Sequence, residues 1–186
     1  MFNMQKTADS SLAVIQEQER CKSRRILILG LGNILLKDEG VGVHVVGQLQ
    51  KQNLPCNVEV IDGGTAGLDI LLLQEGLDKL VVIDALRAGG KPGTIYKTQL
   101  KVDGKEKLTE VFSREEGSKI SLHQIGLLDA LAVAERMNCA PKEIVIIGVE
   151  PGEVDYGLEL TDDVKQRVPE IVNVVLKEIK DDIHRE

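Results

Sequence analysis

The stretch from Arg25 to Gly42, RILILGLGNILLKDEGVG, constrains this chain more than any other. It opens with an uninterrupted apolar run, Ile26 to Leu29, and turns on Gly30 and Gly32. It then carries two adjacent acids, Asp38 and Glu39, and closes on Gly40 and Gly42 before an amphipathic segment. An apolar run ending in glycine is the pattern of a parallel strand buried on both faces and feeding a loop. In open α/β sheets, ligands sit in the crevice beyond the carboxyl ends of such strands. Asp38 and Glu39 therefore stand where chemistry is usually done.

Two kinds of site compete for this loop. Gly30-Leu31-Gly32 begins like the dinucleotide fingerprint G-x-G-x-x-G, with Asp62 available to mimic the acid that binds a ribose. The third glycine would fall at position 35, which is Leu35. Acids and apolar residues also fill the loop where a helix N-terminus should meet a pyrophosphate. The other possibility is a site built from carboxylates, which needs partners from elsewhere in the chain.

The length, 186 residues, fits one domain with room for a sizeable core. Its 42% hydrophobic content comes mostly from Val, Ile, Leu and Ala, because aromatics make up only 2%. Such a core suits parallel strands covered by helices better than an aromatic-rich sandwich. A net charge of −7 with no long basic run argues against a nucleic-acid surface. No segment approaches the ~20 apolar residues of a membrane span, so membrane insertion is not expected. Cys21, Cys56 and Cys139 are odd in number and far apart, which favours a reducing cytosol and hence a cytoplasmic protein. Residues 1–24 read as a loosely held N-terminal extension, with a helical turn or two around Leu12 to Gln18, and residues 25–186 as a single α/β domain. The oligomeric state is left open.

The remaining elements follow from periodicity. Val41, Val45, Val46 and Leu49 are spaced for a first helix that packs on the sheet. Asn57 to Ile61 alternates as a second strand ending at Asp62-Gly63-Gly64-Thr65, where Asp62 suits a turn and Thr65 could cap a helix through Leu68, Leu71 and Leu72. Lys79 to Ile83 is a third, buried strand ending at Asp84. Thr94 to Thr98, after the Pro92-Gly93 turn signal, is a short fourth strand at an edge. Leu100 to Lys119 is charged and poorly periodic, as functional or mobile loops often are. Ser121-Leu122-His123-Gln124 has the form of a capping box, and Glu143 to Val149 is a fifth strand closing on Glu150. Thr161 suits the cap of a last helix, which Pro169 should kink or restart. The order implies a three-layer α/β/α sandwich around a five-stranded, mostly parallel sheet.

Three segments at or near strand ends then carry candidates: Glu39, Asp84 and His123. They are too far apart for a local metal motif, but three loops can converge on one edge of the sheet. Two carboxylates and an imidazole suit a divalent transition ion with open positions. In the first turn of a helix capped by Ser121, His123 is disfavoured as imidazolium and so remains able to ligate. Each has a plainer alternative: Glu39 as a solvated loop acid, Asp84 as an ordinary strand-end acid, His123 as a cap. Asp38 and Glu150 suit a supporting role or a place on the surface. His44, inside the first helix, suits packing, and His184 lies in a charged tail.

The stretch Gly30 to Gly42, G-x-G-N-x-L-x-x-D-E-G-x-G, resembles the N-terminal signature of the hydrogenase maturation endopeptidases, which process the large subunit of [NiFe] hydrogenases. The resemblance continues through Asp62-Gly63-Gly64-Thr65, Ile83-Asp84-Ala85, Ser121-Leu122-His123 and Ile147-Gly148-Val149-Glu150-Pro151, over about residues 25 to 180. It implies an endopeptidase that removes a short C-terminal extension from the nickel-loaded large-subunit precursor. It also implies that Glu39, Asp84 and His123 contact a metal, with nickel carried by the substrate and other divalent ions able to occupy the site. No Ser sits on a G-x-S-x-G elbow, and the cysteines lie outside the motif loops, so water is the expected nucleophile. The alternative class is a non-catalytic nucleotide- or metal-binding α/β module that uses Gly30, Gly32 and Asp62.

Overall fold

The computed structural model describes residues 24–65, 76–101, 129, 131–137 and 139–183. Five strands form one sheet: β1 (Ile26–Leu31), β2 (Val58–Gly64), β3 (Lys79–Ala85), β4 (Ile95–Lys101) and β5 (Glu143–Val149). Their order is β2-β1-β3-β5-β4. β1, β2, β3 and β5 run parallel, and β4 lies antiparallel on the β5 edge. That reversal has a simple cause. Residues 86–94 are too few for the crossover of about a dozen residues that parallel pairing requires.

Helices α1 (Val41–Leu49), α2 (Asp162–Lys165) and α3 (Val168–Ile183) complete the described chain, together with a helical segment at 131–136. Alternate strand residues divide between two cores. Ile26, Ile28, Val81, Ile83, Val145 and Ile147 face α1 and α3, while Leu27, Leu29, Leu80, Val82, Ile144 and Ile146 share the other face with Leu131. β1, β3 and β5 are therefore buried on both faces, which is why each reads as a continuous apolar run. From α1, Val45, Val46 and Leu49 are fully buried. Side chains of this kind contribute roughly 1.5–3 kcal/mol each.

The three-layer expectation holds, with several boundaries redrawn. β2 continues through Asp62 to Gly64, and β4 runs on to Lys101. Asp62 takes its expected turn role, accepting a hydrogen bond from the Gly64 amide at 2.9 Å. Pro169 restarts the last helix: it is the second residue of α3, where its missing N–H is harmless. Thr161 precedes α2 but makes no side-chain cap. The extension before residue 24, the helix through Leu68, Leu71 and Leu72, most of the 100–119 segment, the Ser121 capping box and His184 lie outside the described residues.

Candidate active site

The apolar β1 delivers the chain to Gly32 at the carboxyl edge of the sheet, and the exit loop folds back tightly. Gly32 has φ of +128°, and a Cβ there would stand 1.8 Å from the Glu39 carbonyl oxygen. Only glycine lets the turn that carries Glu39, a 3-10 helix at Lys37–Gly40, lie against the strand end. Lys37 completes the fold-back in a left-handed conformation, φ 47°. The start of α1 is drawn in the same way. A Cβ on Gly42 would lie 2.2 Å from the Ile83 carbonyl oxygen and 2.3 Å from that of Leu31. The turn also contacts β3 directly. Half-buried Glu39 is thus brought beside the end of β3, where Asp84 is almost fully buried and accepts from the Ala85 amide at 2.8 Å.

These close approaches also bear on the nucleotide alternative. The space a Cβ would fill at Gly30 is taken by the Gly42 carbonyl oxygen at 2.4 Å and by Val46 at 2.5 Å. In this loop the glycines admit the protein's own backbone, where a dinucleotide fold would admit a pyrophosphate.

Two further carboxylates join the strand-end loops. Asp38 is fully buried. Its Oδ2 accepts from the amides of Gly152 and Glu153 at 2.8 and 3.0 Å and from the Thr161 hydroxyl at 2.7 Å. Its Oδ1 accepts from the Thr161 amide at 2.7 Å. The hydroxyl expected to cap a helix is thus used to bind Asp38. Glu150, at the end of β5, is also buried. Its Oε2 accepts from the amides of Ala88 and Gly90 at 2.9 and 3.1 Å and from the Tyr96 hydroxyl at 3.0 Å, and its Oε1 from the Gly89 amide at 3.2 Å. Burial alone would raise the Glu150 carboxyl. The donors from Ala88, Gly90, Tyr96 and Gly89 outweigh it and hold the group below its ordinary value. Burial, then the bond to Glu150 and its charge, push the Tyr96 hydroxyl up.

The structure therefore sets the turn that carries Glu39 against β3, whose end carries Asp84, while His123 lies outside the described residues. Among the described residues no three His, Cys, Asp or Glu side chains converge closely enough to hold a metal ion. Glu39 and Asp84 would supply two oxygen donors, a set that suits a divalent cation once a third ligand joins. Cys56 is exposed and Cys139 half-buried. His44 is half-buried in α1, its Nε2 without a hydrogen-bond partner. Of the two places the sequence left open for Asp38 and Glu150, a supporting role or the surface, burial excludes the surface. Their signal was faint: acids at two strand exits, one of them, Glu150, bound to the amides of Ala88-Gly89-Gly90, whose small side chains give that segment little order of its own.

Comparison with known proteins agrees with this fold. Residues 43–178 match the family model HycI, described as hydrogenase maturation protease. The hydrogenase 2 maturation protease of Escherichia coli is 35% identical over 159 residues, covering 84% of this chain and 92% of that protein. The hydrogenase expression/formation protein HupD of Rhodobacter capsulatus is 35% identical over 161 residues, covering 86% of this chain and 73% of that one. Among solved structures, the hydrogenase maturating endopeptidase HybD from Escherichia coli superposes with a TM-score of 0.72 at 34% identity, covering 84% of this chain and 93% of that one. With this sheet, these strand-end acids and these relatives, the chain belongs to the hydrogenase maturation protease family.

Proposed function

We propose that this protein is the endopeptidase that removes the C-terminal extension of a nickel-loaded [NiFe] hydrogenase large-subunit precursor, and that Glu39, Asp84 and His123 form its reactive site. The observation that supports this reading is the contact between the turn carrying Glu39 and β3, the strand that ends at Asp84, which Gly32 and Gly42 make possible, in a chain of this family. Nickel enters as part of the substrate. A metal bound between such carboxylates polarises a neighbouring carbonyl or lowers the pKa of a water. The chain's own contribution is placement. Glu39 reaches the substrate from a turn pinned to β1, and Asp84 from the end of a strand buried on both faces. Either carboxylate can accept the proton of an attacking water. His123, at a helix start by its sequence, supplies a neutral imidazole to the same centre. The reaction belongs in the cytoplasm on this reading. Among the described residues no helix is long and apolar enough to cross a membrane.

The test is mass spectrometry of a matched large-subunit precursor incubated with the protein, in nickel-loaded and nickel-free forms. Loss of a C-terminal peptide from the loaded form alone is expected. Cleavage of both forms would keep the protease and discard the dependence on substrate nickel. Cleavage of neither, with tight binding of an adenine nucleotide in calorimetry, would move the assignment to a binding module.

A further inference from the structure

The three loops at the carboxyl edge leave three different strands, and the sheet fixes only their starting points. What fixes their far ends is the segment 150–161. At one end it is bound to the β1 exit: the Lys37 amide donates to the Gly157 carbonyl at 2.9 Å, the Gly157 amide to the Leu35 carbonyl at 3.0 Å, and Asp38 receives its four hydrogen bonds. At the other end it is bound to the β3 exit. There the Gly93 amide donates to the Glu150 carbonyl at 2.8 Å, and the Glu150 carboxylate gathers the amides of Ala88, Gly89 and Gly90. Asp38 directly precedes Glu39, and Ala88 follows Asp84 by four residues. Gly89 sits at φ +87°, and Ala88-Gly89-Gly90 has little conformational preference of its own. Its shape is therefore imposed by the Glu150 carboxylate.

We propose that Asp38 and Glu150 are positioning residues for precursor cleavage, the two anchors of one brace, residues 150–161, that sets the spacing of Glu39 and Asp84. The inference rests on the reading of Glu39 and Asp84 as the reactive pair. Reactive groups lose most of their effect when displaced by about 1 Å, and loops supply such precision only when a second set of contacts holds them.

The experiment measures kcat and KM for release of the C-terminal peptide from nickel-loaded precursor by Asp38→Asn, Glu150→Gln and the double variant. In each an NH2 group replaces an oxygen that accepts from amides. Glu143→Gln, at the opposite end of the sheet, is the control for lost stability alone, and all variants are assayed where circular dichroism shows them folded. Each single variant should lose about 10- to 100-fold in kcat with KM nearly unchanged. The double should lose distinctly less than the product of the singles, because either change already releases the brace. Glu143→Gln should keep its kcat. Should Asp38→Asn fail to fold, Thr161→Val removes one donor to the Asp38 carboxylate and should lower kcat, while Thr161→Ser should restore it. Unchanged kcat in either single variant, losses that multiply fully, or an equal loss in Glu143→Gln would overturn the brace. Those outcomes need a wild-type protein that cleaves. A wild type that releases no peptide refutes the proposed function itself, and the brace with it.

Discussion

The two ends of the parallel sheet handle buried charge in opposite ways. At the amino end, Lys79 is 2% exposed and lies 3.1 Å from Glu143 and 3.2 Å from Glu178. Arg24 adds a second cation to Glu143 at 3.0 Å, and Lys97 pairs with Glu178. The Gln99 amide donates to Glu143 at 2.7 Å. At the carboxyl end, the donors that reach Asp38 and Glu150 are backbone amides and the hydroxyls of Thr161 and Tyr96. Cations cancel charge, whereas amides fix direction and leave the charge in place. The amino end is thus a clamp for stability. The carboxyl end holds Asp38 and Glu150 with amides and hydroxyls, at the strand exits that also carry Glu39 and Asp84.

This division predicts which changes damage what. Glu39→Ala or Asp84→Ala should slow peptide release by about a thousandfold or more while leaving the thermal midpoint nearly unchanged. Full processing by either variant would remove that residue from the reaction. Lys79→Met should do the reverse. It takes one cation from both Glu143 and Glu178, leaving Arg24 to the first and Lys97 to the second, at about 1–3 kcal/mol of unfolding free energy, yet each folded molecule should keep its kcat. A denaturant melt and an activity assay on the same sample would show the split. Gly42→Ala should damage both stability and activity, since its methyl must displace the Ile83 and Leu31 carbonyls. About 1–3 kcal/mol of stability should be lost, together with activity, because Glu39 moves with the helix start.

The smallest expected effect is on acid stability. Burial alone would raise Glu143, but Arg24 and Lys79 hold it below its ordinary value of 4.5. Lys97 and Lys79 do the same for Glu178 against its own burial. A carboxyl depressed in the folded state stabilises the protein above the unfolded value, and that contribution is lost as pH falls through the folded one. The thermal midpoint should therefore fall as pH drops below about 4.5, and Glu143→Gln should flatten that limb. An unchanged limb would mean that the clamp does not act through these charges.

Much of the fold was legible because burial on both faces leaves a plain mark. β1, β3 and β5 read directly as apolar runs, and Glu143–Val149 has the bounds that its composition suggests. Pro169 and Asp62 acted through local backbone rules, and local rules can be read locally. Glu39 and Asp84 stood out as acids at strand exits. Legibility failed where a partner is distant. Thr161 looks like a cap until Asp38 arrives from 123 positions away. Lys79 and Glu143 look like ordinary strand starts until Glu178 of α3 is folded between them and Lys97. Such contacts depend on the assembled topology, which no window of sequence contains.

That distance between Asp38 and Thr161 has a consequence in time. A ribosome adds roughly 5–20 residues per second, so the acid-bearing loop exists for about 6 to 25 seconds before Thr161 has been made. During that interval β5 and the segment that receives Asp38 are still being made. Until then the Asp38 carboxylate lacks both donors that Thr161 supplies, the amide and the hydroxyl. The loop that bears Asp38 therefore reaches its final set of contacts only after β5 and Thr161 have followed it from the ribosome.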